Sequence, residues 1–325
     1  MVNFSIIIPV KAINDYVRET VHFIKDLEVD QWELIILPNE LDKDEWQDKR
    51  IKLIPSGMVG PAEKRDLGAS FALGKILVFL DDDSYPNSDI LTIATPYFED
   101  DEIVALGGPA VTPHNDSFWQ KVSGAVFLSK FSGGNPERYV PVGIVKEVDD
   151  WPSVNLMVRT KEFKAVGGFN TKYWPGEDTK LCLQLKKYTK RKILYIPNMI
   201  VWHHRRSGLW KHIKQVGAYG LHRGYFFKAY PENSRKLMYI VPSMWLIFLI
   251  IFVLNLIIEY ISNDIFIVGC IAYCIALIKA FIDIIKWENV PIGLAAIIYI
   301  FCTHMAYGFK FIQGLMTKNM KSKLR

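Results

Sequence analysis

The chain has 325 residues, room for one catalytic-size core and a further element, because single cores seldom grow beyond about 250 to 300 residues. Half of the residues are hydrophobic and the formal net charge is a modest +5; no nucleic-acid motif accompanies that charge, so nucleic acid is not an expected partner. The four cysteines, Cys182, Cys270, Cys274 and Cys302, lack CxxC spacing and read as reduced packing residues. The start, Met1 to Val10, lacks the basic opening of an export signal.

Through the first hundred residues, apolar runs alternate with amphipathic ones. The pattern predicts strands over 5–9, 32–37, 50–54 and 75–80 and helices over 15–27 and 61–73. Strand and helix in repetition imply an α/β fold, a parallel sheet with helices on its faces. Ligands bind beyond the carboxyl ends of such strands, which puts chemistry after residues 9, 37, 54 and 80 and makes Pro9 a candidate contact. Residues 107–150, with Gly107-Gly108-Pro109 and Gly133-Gly134-Asn135-Pro136, read as loops and short strands that shape a pocket. A strand over 153–159, helices over 161–166 and 178–187 and a last strand over 193–197 follow.

Between His203 and Lys236 stand Arg205, Arg206, Lys211, Lys214, Arg223, Lys228, Arg235 and Lys236 against one acid, Glu232. Such a run beside an apolar tail is drawn to anionic headgroups, at roughly 1 kcal/mol per charge near the surface; it equally reads as a solvated basic face. The tail holds three apolar stretches, 238–260, 265–285 and 290–316, each near the ~20 residues that cross a bilayer core. The division is 1–202, catalytic; 203–237, basic, amphipathic and interfacial; and 238–325, two or three membrane helices with a basic end. With a cytoplasmic catalytic half, three crossings would leave Lys318, Lys321, Lys323 and Arg325 outside, against the positive-inside tendency. Either that tendency fails here or one stretch does not cross; the last, with His304, Lys310 and Gln313, could lie along the interface.

Four groups could carry chemistry. Asp81-Asp82-Asp83 ends a buried strand, and carboxylates crowded there make sense around a divalent cation, Mg²⁺ or Mn²⁺, although an acidic turn would look the same. Glu177-Asp178 follows Trp174-Pro175-Gly176; the pair could supply a general base or simply favour a helix start. Lys64-Arg65 sits in the second turn of a helix that opens with Pro61, suited to an anionic ligand or to a surface charge pair. His203-His204-Arg205-Arg206 and Arg223 could complete a metal shell and hold a diphosphate, or form a basic face beside the membrane.

In this order and spacing the chain resembles family 2 glycosyltransferases of the GT-A fold, a Rossmann-like nucleotide-diphospho-sugar transferase domain, here followed by a C-terminal transmembrane region. Among them it resembles the membrane-anchored enzymes of exopolysaccharide and glycan assembly, such as the succinoglycan glucosyltransferase type. Ser5 to Val10 matches the first strand, Lys64-Arg65-Asp66-Leu67-Gly68 the donor-side helix and Asp81-Asp82-Asp83 the DXD motif. Asn155 to Arg159 and Gly167-Gly168-Phe169 match the acceptor-side segment, Glu177-Asp178 the catalytic-base motif, and His304 to Phe309 a pattern of the final apolar segment.

The resemblance implies a multi-pass cell-membrane enzyme with a cytoplasmic catalytic domain, a nucleotide-sugar donor, a lipid-linked glycan acceptor and contact with membrane lipids. It places Pro9, Lys64, Arg65, Asp81 and Asp82 on the donor side, with Arg205, Arg206 and Arg223 toward the diphosphate. Asp83 with His203 or His204 would hold the metal; Asp178, beside Glu177, would be the base of an inverting transfer; Asn155, Trp174 and Gly176 would line the acceptor side. Two departures matter. Leu37-Pro38-Asn39-Glu40 replaces the Asp-Asp-Gly-Ser type turn that meets the nucleobase, which leaves the base open, and Gln215-Val216-Gly217-Ala218-Tyr219 replaces Gln-x-x-Arg-Trp, which argues for adding one sugar. A polyprenyl-phosphate sugar synthase and an inactive membrane-anchored scaffold are the other readings; a sugar nucleotidyltransferase would open with a Gly-rich loop, which Pro9-Val10-Lys11-Ala12 is not.

Overall fold

The computed structural model describes residues 3–41, 46–171, 173–258 and 260–320; Met1, Lys321, Lys323 and Arg325 lie outside them. In chain order the elements are β1 (Phe4–Pro9), α1 (Asp15–Lys25), β2 (Trp32–Leu37), β3 (Ile51–Leu53), α2 (Pro61–Phe71), β4 (Ile76–Phe79), β5 (Ser84–Pro86), α3 (Ile90–Ala94), β6 (Ile103–Gly107), β7 (Ala110–Val111) and α4 (Phe118–Ala125). Then come β8 (Lys146–Val148), β9 (Leu156–Arg159), α5 (Thr160–Ala165), α6 (Glu177–Thr189), β10 (Lys192–Tyr195), β11 (Val201–His203), α7 (Leu209–Ala229), α8 (Pro231–Ser234), α9 (Leu237–Ile258), α10 (Asn263–Ile284) and α11 (Val290–Met316). They form two compact units: one holds the residues up to Pro113 and Val140–His204, the other His114–Tyr139 and Arg205–Met320.

The first unit is built on an eight-stranded sheet in the order β3-β2-β1-β4-β9-β6-β10-β8, with a small sheet β5-β11-β7. Strands β1 and β2 are buried along their whole length, as continuous apolar runs are when helices cover both faces of a sheet. Helix α1 turns Val17, Val21 and Ile24 inward, and Asn14 caps it by accepting the Val17 N–H at 3.0 Å. The expected parallel sheet holds for β3, β2, β1 and β4, but β9 runs antiparallel to both β4 and β6. The sheet is therefore mixed. An apolar run encodes burial; its direction depends on the end from which the chain enters the sheet, here from the loop after β8.

In the second unit, α9, α10 and α11 are long and apolar enough to cross a membrane. The expected tail stretches thus become three helices, and α9 and α10 leave Val253, Leu256, Ile267 and Ile275 exposed. The last stretch is one continuous helix, and the three polar residues singled out there, His304, Lys310 and Gln313, have protein partners. His304 meets the Tyr273 hydroxyl at 2.8 Å and the Ser132 carbonyl at 2.9 Å, while Lys310 donates to Gln313. The basic segment becomes α7, which lies along α11. Gly220 and Gly224 allow that approach, because a Cβ on either would collide with the α11 backbone at Tyr307 or Phe311. His212 links α7 to Ser123 of α4 at 2.7 Å and to Thr303 of α11 at 2.8 Å.

One buried carboxylate joins the edge of the main sheet to the helix beside it. Glu33 accepts from the Ser5 hydroxyl at 2.6 Å, the Lys52 ammonium at 2.7 Å and the Leu73 N–H at 2.6 Å. Burial raises its pKa, but Lys52, Ser5 and Leu73 outweigh that and hold it below the ordinary value. A depressed carboxylate stabilises the fold above its unfolded pKa and ceases to do so as pH falls through its folded value. In thermal unfolding of the full chain, Glu33→Gln is expected to cost about 2 kcal/mol at pH 7, with the gap to wild type closing as the pH falls below the carboxylate range; a gap constant with pH would contradict this.

Candidate active site

The acids after β4 sit on a turn that Ser84 closes. Its hydroxyl donates to the Asp81 carbonyl at 2.9 Å and accepts the Asp81 N–H at 3.1 Å. Strand β5 then pairs antiparallel with β11, setting His203 opposite Ser84, and the His204 N–H bonds the Asp83 carbonyl at 2.9 Å. This pairing carries the His203 imidazole to the acids, with Nε2 3.1 Å from Asp83 Oδ1. Among the described residues, Asp81, Asp83 and His203 each offer one ligand atom within 4.8 Å of the others. Carboxylate oxygens with one imidazole nitrogen fit Mg²⁺ or, better, Mn²⁺. His204, the other candidate ligand, turns away: neighbouring residues in extended chain point to opposite sides, and its Nε2 lies 2.8 Å from Glu19.

Arg65 reaches the same acids from α2. It is buried, with one nitrogen on Asp81 and another 2.9 Å from Glu177. Burial works against its charge, but Asp81, Glu177 and Asp178 outweigh that and keep the guanidinium protonated. Burial in turn pushes the Glu177 carboxyl up; Arg65 opposes, and Asp178 and Asp81 add to the rise. The two acidic motifs thus share one cation. Gly176, at φ +108°, makes the turn into α6 that a side chain would strain. It starts the helix so that Asp178 accepts the Thr179 N–H at 2.7 Å and the Ser153 N–H at 3.3 Å.

Lys64 is also buried, but it serves the strand ends. Its ammonium donates to the carbonyls of Val10 and Leu37 and, at 2.6 Å, to Asn39 Oδ1. Burial pulls its pKa down to about 8, with Asp82 opposing. Beside it, Lys11, Ala12, Asn39, Glu40 and Leu41 line a recess of about 370 Å³, beyond the end of β1 that Pro9 forms. Asn155, a candidate acceptor contact, turns inward and donates to the Pro109 and Met199 carbonyls. Trp174 precedes a cis peptide to Pro175 on the loop that leads to Gly176.

Arg205, Arg206 and Arg223 belong to the second unit. There the Arg205 N–H bonds Asp116 at 3.1 Å and its guanidinium lies over Tyr139, while Arg223 lies over Tyr239. That unit also holds an apolar recess of about 320 Å³ lined by Trp119, Gly208, Leu209, Ala295, Ile298 and Tyr299.

Sequence reasoning does not assign Asp66, whose carboxylate accepts the N–H groups of Phe169 and Asn170 at 2.8 and 2.9 Å. The signal is present, since Asp66 and Phe169 lie within two matched motifs, but their meeting is a tertiary fact. Arg65→Met would leave Glu177 buried without its cation, and breaking such a pair costs about 3 to 5 kcal/mol. Arg65→Met is expected to lower the unfolding temperature by several degrees, and Arg65→Met with Glu177→Met to recover at least half of the loss; purely additive losses would argue against coupling.

The model of glycosyl transferase family 2 matches residues 5–160. A pre-mycofactocin glycosyltransferase of Mycobacterium tuberculosis (strain CDC 1551 / Oshkosh) is 27% identical over 179 residues, covering 55% of this chain and 37% of the relative, so the chain spans little more than a third of that protein's length. A dolichyl N-acetyl-alpha-D-glucosaminyl phosphate 3-beta-D-2,3-diacetamido-2,3-dideoxy-beta-D-glucuronosyltransferase of Methanococcus voltae is 22% identical over 262 residues, 79% of this chain and 75% of that one. A solved mannosyltransferase from Pyrobaculum calidifontis, in complex with GDP-Man and Mn²⁺, has the same fold at a TM-score of 0.54 and 13% identity, over 97% of this chain and 87% of that one. Over residues 5–160 the chain carries a domain that matches glycosyl transferase family 2, and its fold is of the GT-A type, followed by three helices able to span a membrane.

Proposed function

We propose that this protein is an inverting, metal-dependent glycosyltransferase that moves one sugar from a nucleotide-sugar donor to a lipid-linked or membrane-proximal glycan. One observation carries the reading: Arg65 bridges Asp81 and Glu177, so the acids after β4 and those opening α6 belong to a single site. In this reading residues 1–202 carry catalysis, 203–237 form a basic interfacial link and 238–325 anchor the enzyme in the membrane, with the catalytic part cytoplasmic.

A Mg²⁺ or Mn²⁺ ion held by Asp81, Asp83 and His203 would supply positive charge to the departing diphosphate. Asp81 and Asp82 face the donor, as do Pro9 and Lys64 through the strand ends that they form or tie. Asp178 is the base. Its carboxylate, oriented by the Ser153 and Thr179 N–H groups, takes the proton of the acceptor hydroxyl as that oxygen attacks the sugar. A single displacement of this kind inverts the anomeric centre and needs one base on the acceptor side. Glu177 has a positioning role, because its carboxylate is engaged by Arg65 and holds that guanidinium against Asp81.

Two observations support a lipid-linked acceptor. The Methanococcus voltae relative is named for a dolichyl phosphate-linked sugar, and the apolar recess between Trp119 and Tyr299 has the lining that an aliphatic chain would need. The basic residues of α7 and its flanks suit anionic lipid.

The test is release of nucleotide from a panel of nucleotide sugars by the purified full chain with Mn²⁺. EDTA and Asp83→Ala are each expected to abolish turnover, while Asp178→Asn is expected to lower the rate about a hundredfold or more and spare donor binding. Turnover that survives EDTA, or a wild-type rate in Asp178→Asn, would reject the corresponding role.

A further inference from the structure

We infer that the recess beyond β1 and β2 reads a guanine base, so that the donor is a guanosine diphosphate sugar; this rests on the donor-site reading above. The recess measures about 370 Å³ and is lined by Lys11, Ala12, Asn39, Glu40 and Leu41. It lies beyond the carboxyl ends of two neighbouring parallel strands, where α/β sheets take their ligands. The Asn39 N–H bonds the Lys11 carbonyl at 3.0 Å, so its two walls are tied to each other.

Lys64 decides what Asn39 can offer. An ammonium only donates, so its contact with Asn39 at 2.6 Å fixes the amide with its oxygen toward Lys64 and leaves the NH₂ end as the group a ligand meets. Glu40 follows along the chain, exposed, with two oxygens that only accept. The walls therefore present donors, the Asn39 amide and the Lys11 ammonium, beside a two-oxygen acceptor.

The Watson–Crick edge of guanine is the complement of that arrangement: O6 accepts, and N1–H and N2–H₂ donate side by side to a carboxylate. Uracil has one N3–H between two carbonyl oxygens, so the second Glu40 oxygen would face lone pairs. Adenine and cytosine each bring one exocyclic amine beside an accepting ring nitrogen and fill only one Glu40 oxygen. Glu40 is exposed, so water serves an oxygen that a base leaves empty; guanine alone adds a second charge-assisted hydrogen bond, and discrimination follows from that gain. Ala12 and Leu41 supply apolar surface for the face of the ring.

The probes are GDP, UDP, ADP and CDP, titrated calorimetrically into the full chain in detergent with Mn²⁺. GDP is expected to bind at least about tenfold more tightly than the other three, and Glu40→Gln to weaken GDP about tenfold while leaving UDP within about twofold. UDP, ADP or CDP binding as tightly as GDP, or equal losses of GDP and UDP in Glu40→Gln, would overturn the base assignment and leave the donor-site reading standing. Binding of none of the four would overturn both.

Discussion

A guanidinium sealed inside a protein must meet negative charge, and Arg65 meets it from two directions. Asp81 comes from the turn after β4 and Glu177 from the start of α6. Each carboxylate alone would be an expensive buried or half-buried charge, and the shared cation offsets both. The cluster therefore latches α2 to the turn after β4 and to the start of α6. Asp66, on the next position of α2, extends the latch by binding the backbone of Phe169 and Asn170.

The remaining geometry of the site follows from that arrangement and from the small sheet. Pairing of β5 with β11 delivers His203 to Asp83, while the adjacent His204 is carried to the other side and into the Glu19 pair. Two consecutive histidines thus receive different chemistry from a single structural rule, the alternation of side chains in extended chain. Similarly, Lys64 and Arg65 are neighbours on one helix yet serve different ends of the site. Lys64 fastens the loops after β1 and β2, and Arg65 joins the acids.

The second unit solves a different problem. Its long helices expose apolar side chains that only lipid or another apolar surface could cover, while their buried histidine is matched internally. His212 and His304 each use both ring nitrogens on protein partners. Within a membrane-type bundle an unsatisfied imidazole would be costly, which is the physical reason such residues face their neighbours. The glycine-lined approach of α7 to α11 belongs to the same logic of close backbone packing.

By itself the sequence determined the elements whose periodicity is strong: β1, β2, β4, α1, α2, α6 and the three apolar helices, because burial on both faces or on one stripe leaves a direct mark on residue order. It also determined which acids were candidates, since carboxylates crowded at the end of an apolar run repel one another unless a cation meets them. The orientation of β9, the strand pairing that selects His203 over His204, the inward turn of Asn155 and the two roles of Lys64 and Arg65 were decided only by tertiary structure. Each depends on which distant segment arrives alongside, and local pattern carries no record of that: Glu177 lies 112 positions from the Arg65 that holds it.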